Sequence, residues 1–247
     1  AYAMVTYQTA WLKAHYPAEF MAAVCSSDMD NQDKLVNFLD DARAIGLKVL
    51  PPDINESNYP FRATGTAEIR YGLGAIKGVG QQVCESIVDA RARGGRFTDL
   101  ADLCRRMDAQ KLNKRVLEAL VLSGAADSLG QNRATQMAAV PEAMRAAEQL
   151  LRDAQAGQFD IFGQATATPV TPAVEPHPEW PLLRRLHGER ETLGFFLSGH
   201  PADAYKDWLK QLTTCPIGHV EQAWRAGQNQ TERNRGRLEL PIVLGGV

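Results

Sequence analysis

Residues 76–91 read Ile76-Lys77-Gly78-Val79-Gly80 and then QQVCESIVDAR, and this stretch decides the fold. A Gly-apolar-Gly step feeding a helix is the pattern of a helix-hairpin-helix element. Two glycines let the backbone turn tightly with no Cβ in the way. The N–H groups of the hairpin and of the first turn of the new helix are then expected to point outward, unpaired, at the positive end of the helix dipole. A phosphate oxygen fits there, with Lys77 adding a mobile charge and Val79 anchoring the turn in the core. A glycine pair that merely ends one element and begins another would look the same, so the surroundings matter.

Those surroundings are basic. Residues 70–120 hold ten Lys and Arg against six Asp and Glu, whereas residues 1–69 hold five against nine and residues 121–247 twelve against fourteen. The net charge of −2 conceals this block, and a phosphate-binding surface is expected within it. A second hairpin-like unit without glycines, residues 108–115, adds Lys111, Lys114 and Arg115 as candidate contacts to the backbone of the opposite strand. Each of the three also suits a solvated helix end.

Working outward, helices are predicted over 81–93, 99–107 and 113–123, with Thr98 capping the second and Gly124 stopping the third. Residues 31–45 predict an amphipathic helix with Leu35, Phe38, Leu39, Ala42 and Ile45 on one face, Asn31 at its start and Gly46 at its end. Two helices are expected to meet near His15–Pro17. Residues 47–50 and 68–73 read as short strands, with turn-rich text over 53–69. Residues 133–155 are strongly helix-forming, and 180–212 return to helical patterning. Pro169, Pro172, Pro176 and Pro178 among Thr and Ala mark a linker, and residues 237–247 alternate like a strand cut from its partners. The chain opens without Met, and both ends read as internal to a longer protein.

Several function classes find no support. No pair of carboxylates stands in a setting for two-metal phosphoryl transfer, and no phosphate-binding P-loop or nucleophile elbow occurs. Cys25, Cys84, Cys104 and Cys215 lack zinc spacing, and three of them sit among apolar neighbours as small hydrophobes of a reducing cytoplasm. His15, His177, His187, His200 and His219 share no helical spacing. Neither a catalytic residue nor a metal ligand is therefore assigned. No apolar run is long enough for a transmembrane helix.

Longer segments carry a resemblance. AYAMVTYQTAWLKAHYPAEFMAA looks like the end of the fingers region of the bacterial polymerase III alpha-subunit family, the C-family replicative DNA polymerases. LPPDINESNYPF, IRYGLGAIKGVGQQVCESIVDAR and FTDLADLCRRMDAQKLNKRVLEALVLSGAAD are similar to that family's tandem helix-hairpin-helix segment. LRRLHGERETLGFFLSGHPADAY resembles the stretch before its OB-fold. The order and spacing match over nearly the whole chain.

The resemblance implies a mainly α fold: fingers end (1–50), tandem helix-hairpin-helix (51–130), helix with clamp peptide and Pro/Thr linker (131–178), helical connector (179–236) and a truncated OB-fold start (237–247). It carries duplex-DNA contact onto Lys77, Gly78, Val79 and Gly80. Gln158, Asp160, Ile161 and Phe162 resemble the peptide by which such polymerases engage the β sliding clamp, with Phe159 where the family often has a small residue. Other polymerase III holoenzyme subunits are implied partners, and the cytoplasm is the implied location. Any Mg2+ would sit on palm aspartates of the parent DNA-directed DNA polymerase, outside this segment. An error-prone paralogue of the family and a free-standing helix-hairpin-helix repair or recombination module are the alternatives.

Overall fold

Pro17 divides the first helical run. The computed structural model describes residues 2–107, 111–155, 175–215, 217–222, 225 and 243, with helix α1 over Tyr2–His15 and α2 over Pro17–Ser27. Proline at the first helical position loses no hydrogen bond, because that N–H has no intrahelical acceptor. Helix α2 buries Ala18, Met21, Ala22 and Cys25, an i, i+3, i+4, i+7 stripe; α1 buries none of its residues.

Helix α3 spans Gln32–Ala44 and starts as expected, with Asn31 Oδ1 accepting the Lys34 N–H at 3.1 Å. It ends on Gly46 at φ 89°, where Gly46 N–H donates to Arg43 O and Leu47 N–H to Ala42 O, a Schellman closure. Leu35, Leu39 and Ala42 are buried, but Ile45 is 42% exposed. The closing turn swings Ile45 off the face that the periodicity assigned to it.

Strands β1 (Lys48–Leu50), β2 (Arg62–Gly65) and β3 (Glu68–Arg70) form a sheet of order β1-β3-β2, β3 running parallel to β1 and antiparallel to β2. Strand β2 was not predicted. Arg62-Ala63-Thr64-Gly65 has one β-branched residue and little intrinsic preference, and it takes strand geometry by pairing with β3.

The loop between β1 and β2 is anchored inside the protein. Asn55 is 6% exposed; it accepts the Phe97 N–H at 2.7 Å and donates to Phe97 O at 3.1 Å. Ile54 N–H donates to Ala125 O, and Ser57 Oγ to Tyr71 O.

Helices α4 (Gln81–Gly94), α5 (Leu100–Arg106) and α6 (Lys114–Leu122) follow, and α7 (Arg133–Gln155) packs across α5 and α6. The cap of α5 is Asp99 and not Thr98: Asp99 Oδ1 accepts the Asp102 N–H at 2.7 Å, while Thr98 N–H donates to the Asp102 carboxylate. A carboxylate one residue later is the stronger acceptor and moves the start by one position. Helix α8 (Leu182–Leu193) packs on α6.

One core cluster runs from Ala18 to Phe195 within the unit Ala1–Leu197. Burial pushes the thiols of Cys25, Cys84 and Cys104 up to about 12. Ser198–Val247 form a second unit, whose described part includes helix α9 (Lys206–Leu212) with Trp208 and Leu212 exposed. Among the described residues no helix is long and apolar enough to cross a membrane.

Candidate nucleic-acid interface

The hairpin is a tight turn closed by Val79 N–H donating to Ile76 O at 3.0 Å, with Gly78 at φ 89° in its third position. Only glycine adopts that φ without strain. Gly80, at φ −75° and ψ 161°, is extended and caps α4 without a side chain. The two glycines thus serve different ends, and the expectation that both make the turn is corrected: Gly78 turns the chain and Gly80 keeps space open. A Cβ built on either meets nothing within 4 Å. Val79 is buried as expected, and Lys77 is exposed.

The donors divide as well. Val79 N–H closes the turn, and Lys77 N–H donates at 2.9 Å to Thr192 O at the end of α8, so neither is outward and free. Among the described residues the N–H groups of Gly78, Gly80, Gln81 and Gln82 have no acceptor. Gly78 and Gly80 line a groove of about 720 Å³ between the hairpin and the Met29–Gln32 turn, Gln81 and Gln82 line a neighbouring one that shares Gly80, and the dipole of a 14-residue helix stands behind all four.

The basic block is smaller in effect than its count. Arg91 donates to Ile54 O, Ser57 O and Asn58 Oδ1, and burial lowers its pKa from the ordinary arginine value. Arg106 donates to Ala90 O and Gly95 O and lies 4.4 Å over the Phe97 ring, while Arg105 and Arg106 both pair with Asp102. Arg96 pairs with Glu56, and Arg70 donates to Pro51 O. Arg91 and Arg106 are thus committed to backbone carbonyls within the module, whereas the Arg96–Glu56 pair is exposed and weak.

Lys77, Lys111 and Arg115 are exposed and, among the described residues, have no side-chain hydrogen bond or ion pair. Lys114 lies 3.5 Å from Glu118 one turn along α6, an exposed pair of little strength. Asn113 caps α6 by accepting the Val116 N–H at 3.0 Å, which sets Lys114 and Arg115 in its first turn. Residues 108–110 lie outside the described residues, and no described bond or groove joins this second hairpin to the first. Gln158, Asp160, Ile161 and Phe162 also lie outside the described residues, as does the proposed OB-fold start apart from Val243.

Sequence reasoning expected helix over 180–212, where α8 lies, but gave α8 no part in the site. Its Thr192 is buried, Glu189 is fully buried, and Arg133 Nη1 approaches Glu189 Oε1 at 2.9 Å. Burial works against the Arg133 charge, but Asp127 and Glu189 outweigh it and leave the guanidinium pKa above its ordinary value. Among the described residues no group of three or more His, Cys, Asp or Glu side chains is placed to hold a metal.

A glycine hairpin opening onto the N-terminus of α4, with α5 and α6 after it, is the arrangement of a helix-hairpin-helix module. The family model for the helix-hairpin-helix motif matches residues 46–136. Comparison with known proteins then extends over the whole chain. It is 56% identical over 252 residues to the DNA polymerase III subunit alpha of Xylella fastidiosa (strain Temecula1), spanning 100% of this chain and 21% of that protein. The Vibrio cholerae protein of the same name is 52% identical over 222 residues, 89% of this chain and 19% of its own length. That of Escherichia coli K12 is 51% identical over 214 residues, 86% of this chain and 18% of its own. The chain belongs to the DNA polymerase III alpha-subunit family, and it spans about a fifth of the length of the curated relatives it matches. Similarity along the whole chain disfavours the free-standing repair module.

Proposed function

We propose that this chain is a non-catalytic segment of a DNA-directed DNA polymerase that grips duplex DNA by its backbone and tethers the enzyme to the β sliding clamp. The observation that carries the first half is the set of four N–H groups at Gly78, Gly80, Gln81 and Gln82 without acceptors among the described residues, beside exposed Lys77. Donors fixed by a turn and a helix end need no rearrangement to receive a phosphate oxygen. Lys111, Lys114 and Arg115 add cations for the second strand. Such contacts hold the duplex without reading bases.

Titration of the 247-residue chain with mixed-sequence duplex at several salt concentrations tests this. Affinity is expected to fall with a log–log slope of roughly one per neutralised phosphate and to ignore base sequence. A flat salt dependence, or binding confined to one sequence, would overturn the reading.

The tether rests on Gln158, Asp160, Ile161 and Phe162. Ile161 and Phe162 would enter an apolar pocket on the clamp while the Gln158 amide satisfies polar groups at its edge, so few anchors supply most of the affinity. The variant with Ile161→Ala and Phe162→Ala is expected to lose at least about tenfold in affinity for the isolated β clamp and none for duplex. Unchanged clamp affinity removes the tether. The other holoenzyme subunits are proposed as partners through the parent protein, as is the Mg2+-dependent chemistry of its palm.

A further inference from the structure

We infer that α8 is a brace for the duplex-binding hairpin, and that Gly188, Glu189 and Thr192 are positioning residues of that site although they lie outside the helix-hairpin-helix match. The inference rests on the duplex-binding reading above. The last carbonyls of a helix have no partner within it. In α8 the Thr192 carbonyl takes its partner from the hairpin, accepting Lys77 N–H at 2.9 Å. This bond fixes the residue immediately before Gly78, whose N–H is the first of the four free donors.

The rest of α8 is built to hold that carbonyl in place. Thr192 Oγ1 donates to Gly188 O at 2.7 Å, tying the last turn to the one before. Gly188 lets α8 approach α6 closely, since a Cβ there would lie 2.8 Å from Leu122 Cδ2. Glu189 is bound by Arg133 of α7 at 2.9 Å and accepts the Leu197 N–H at 2.8 Å. Beyond the helix end, a Cβ on Gly194 would lie 3.3 Å from the Gln32 side chain, on the opposite wall of the groove. Helix α8 therefore bonds one wall of the groove, its capping Gly194 lies close to the other, and the helix is itself locked to α6 and α7. A shift of α8 would release Lys77 and let the donors splay.

A size swap tests this. Gly188→Val adds three carbons against Leu122, and Leu122→Ala removes three, so the double variant conserves volume. Gly188→Val is expected to speed amide exchange of Lys77 about tenfold relative to amides of α5. It is also expected to weaken duplex binding about fivefold, the loss of roughly one hydrogen bond's worth of order. Adding Leu122→Ala should restore both. A lower melting temperature with unchanged Lys77 exchange overturns the brace, as does faster exchange with unchanged duplex affinity. Should Gly188→Val fail to fold, Glu189→Gln is read by the same two measurements. In the unmodified chain, Lys77 exchange should follow the denaturant dependence of α8 amides; matching α4 instead also overturns the brace. If the unmodified chain binds no duplex, the DNA reading fails, and the brace is then decided by Lys77 exchange alone.

Discussion

Replacing Glu189 by Ala is expected to lower the stability of the chain by about 3 kcal/mol, measured as the shift in chemical-denaturation midpoint at unchanged slope. Glu189 is fully buried, and its carboxylate receives the Arg133 guanidinium at 2.9 Å and the Leu197 N–H at 2.8 Å. Removing it strands part of a buried cation and one backbone donor. Breaking a buried pair costs about 3–5 kcal/mol in general. The lower end applies because Arg133 keeps two bonds to Asp127, at 2.9 and 2.8 Å. Replacing both partners by apolar residues of similar volume, Arg133→Met with Glu189→Leu, is expected to recover most of the loss, since no buried charge then remains. A single-variant cost below about 1 kcal/mol would mean that water reaches Arg133 and that the pair is no structural clasp.

The second large effect belongs to the hairpin. Gly80→Val is expected to weaken duplex binding at least about tenfold while leaving folding stability nearly unchanged. The backbone at Gly80 is extended, at φ −75° and ψ 161°, which any residue adopts, and a Cβ there meets nothing within 4 Å of the chain itself. An added side chain therefore meets only what approaches from outside. If a phosphate sits against the Gly80, Gln81 and Gln82 N–H groups, valine displaces it and the charge-assisted bonds are lost. Gly78→Val should reduce affinity too, but with a stability loss of about 1–3 kcal/mol, because φ 89° is strained for a β-branched residue. Duplex affinity untouched by Gly80→Val would place the DNA elsewhere on the molecule.

The helices were legible because their signals are local. The stop at Gly46, the cap at Asn31 and proline at the start of α2 are each a few residues of sequence with one physical meaning, and each stands where it was expected. The hairpin was legible for the same reason. Strand β2 was not, since its four residues become a strand only through β3, and Ile45 was misassigned because a periodic face does not foresee the closing turn. Counting charge marked residues 70–120 but could not separate Lys77, Lys111 and Arg115 from arginines such as Arg91 and Arg106, which bind backbone carbonyls far away in sequence. Thr192 lies 115 residues beyond Lys77, and its part is played by a main-chain oxygen, which leaves no mark on residue type.

The inward-turned loop carrying Asn55 has a practical consequence for anyone who engineers this chain. Between β1 and β2, residues 53–58 read as hydrophilic, turn-rich text, the usual choice for an inserted tag or a relocated terminus. Asn55, however, bonds the Phe97 backbone through both its amide oxygen and its amide nitrogen, in the manner of an extra strand, while Ile54 and Ser57 hold Ala125 and Tyr71. Added residues there would part the segment before the first hairpin from the two helical segments after it. Grafts belong instead at sites such as Gly65–Ala67, where the turn between β2 and β3 is exposed.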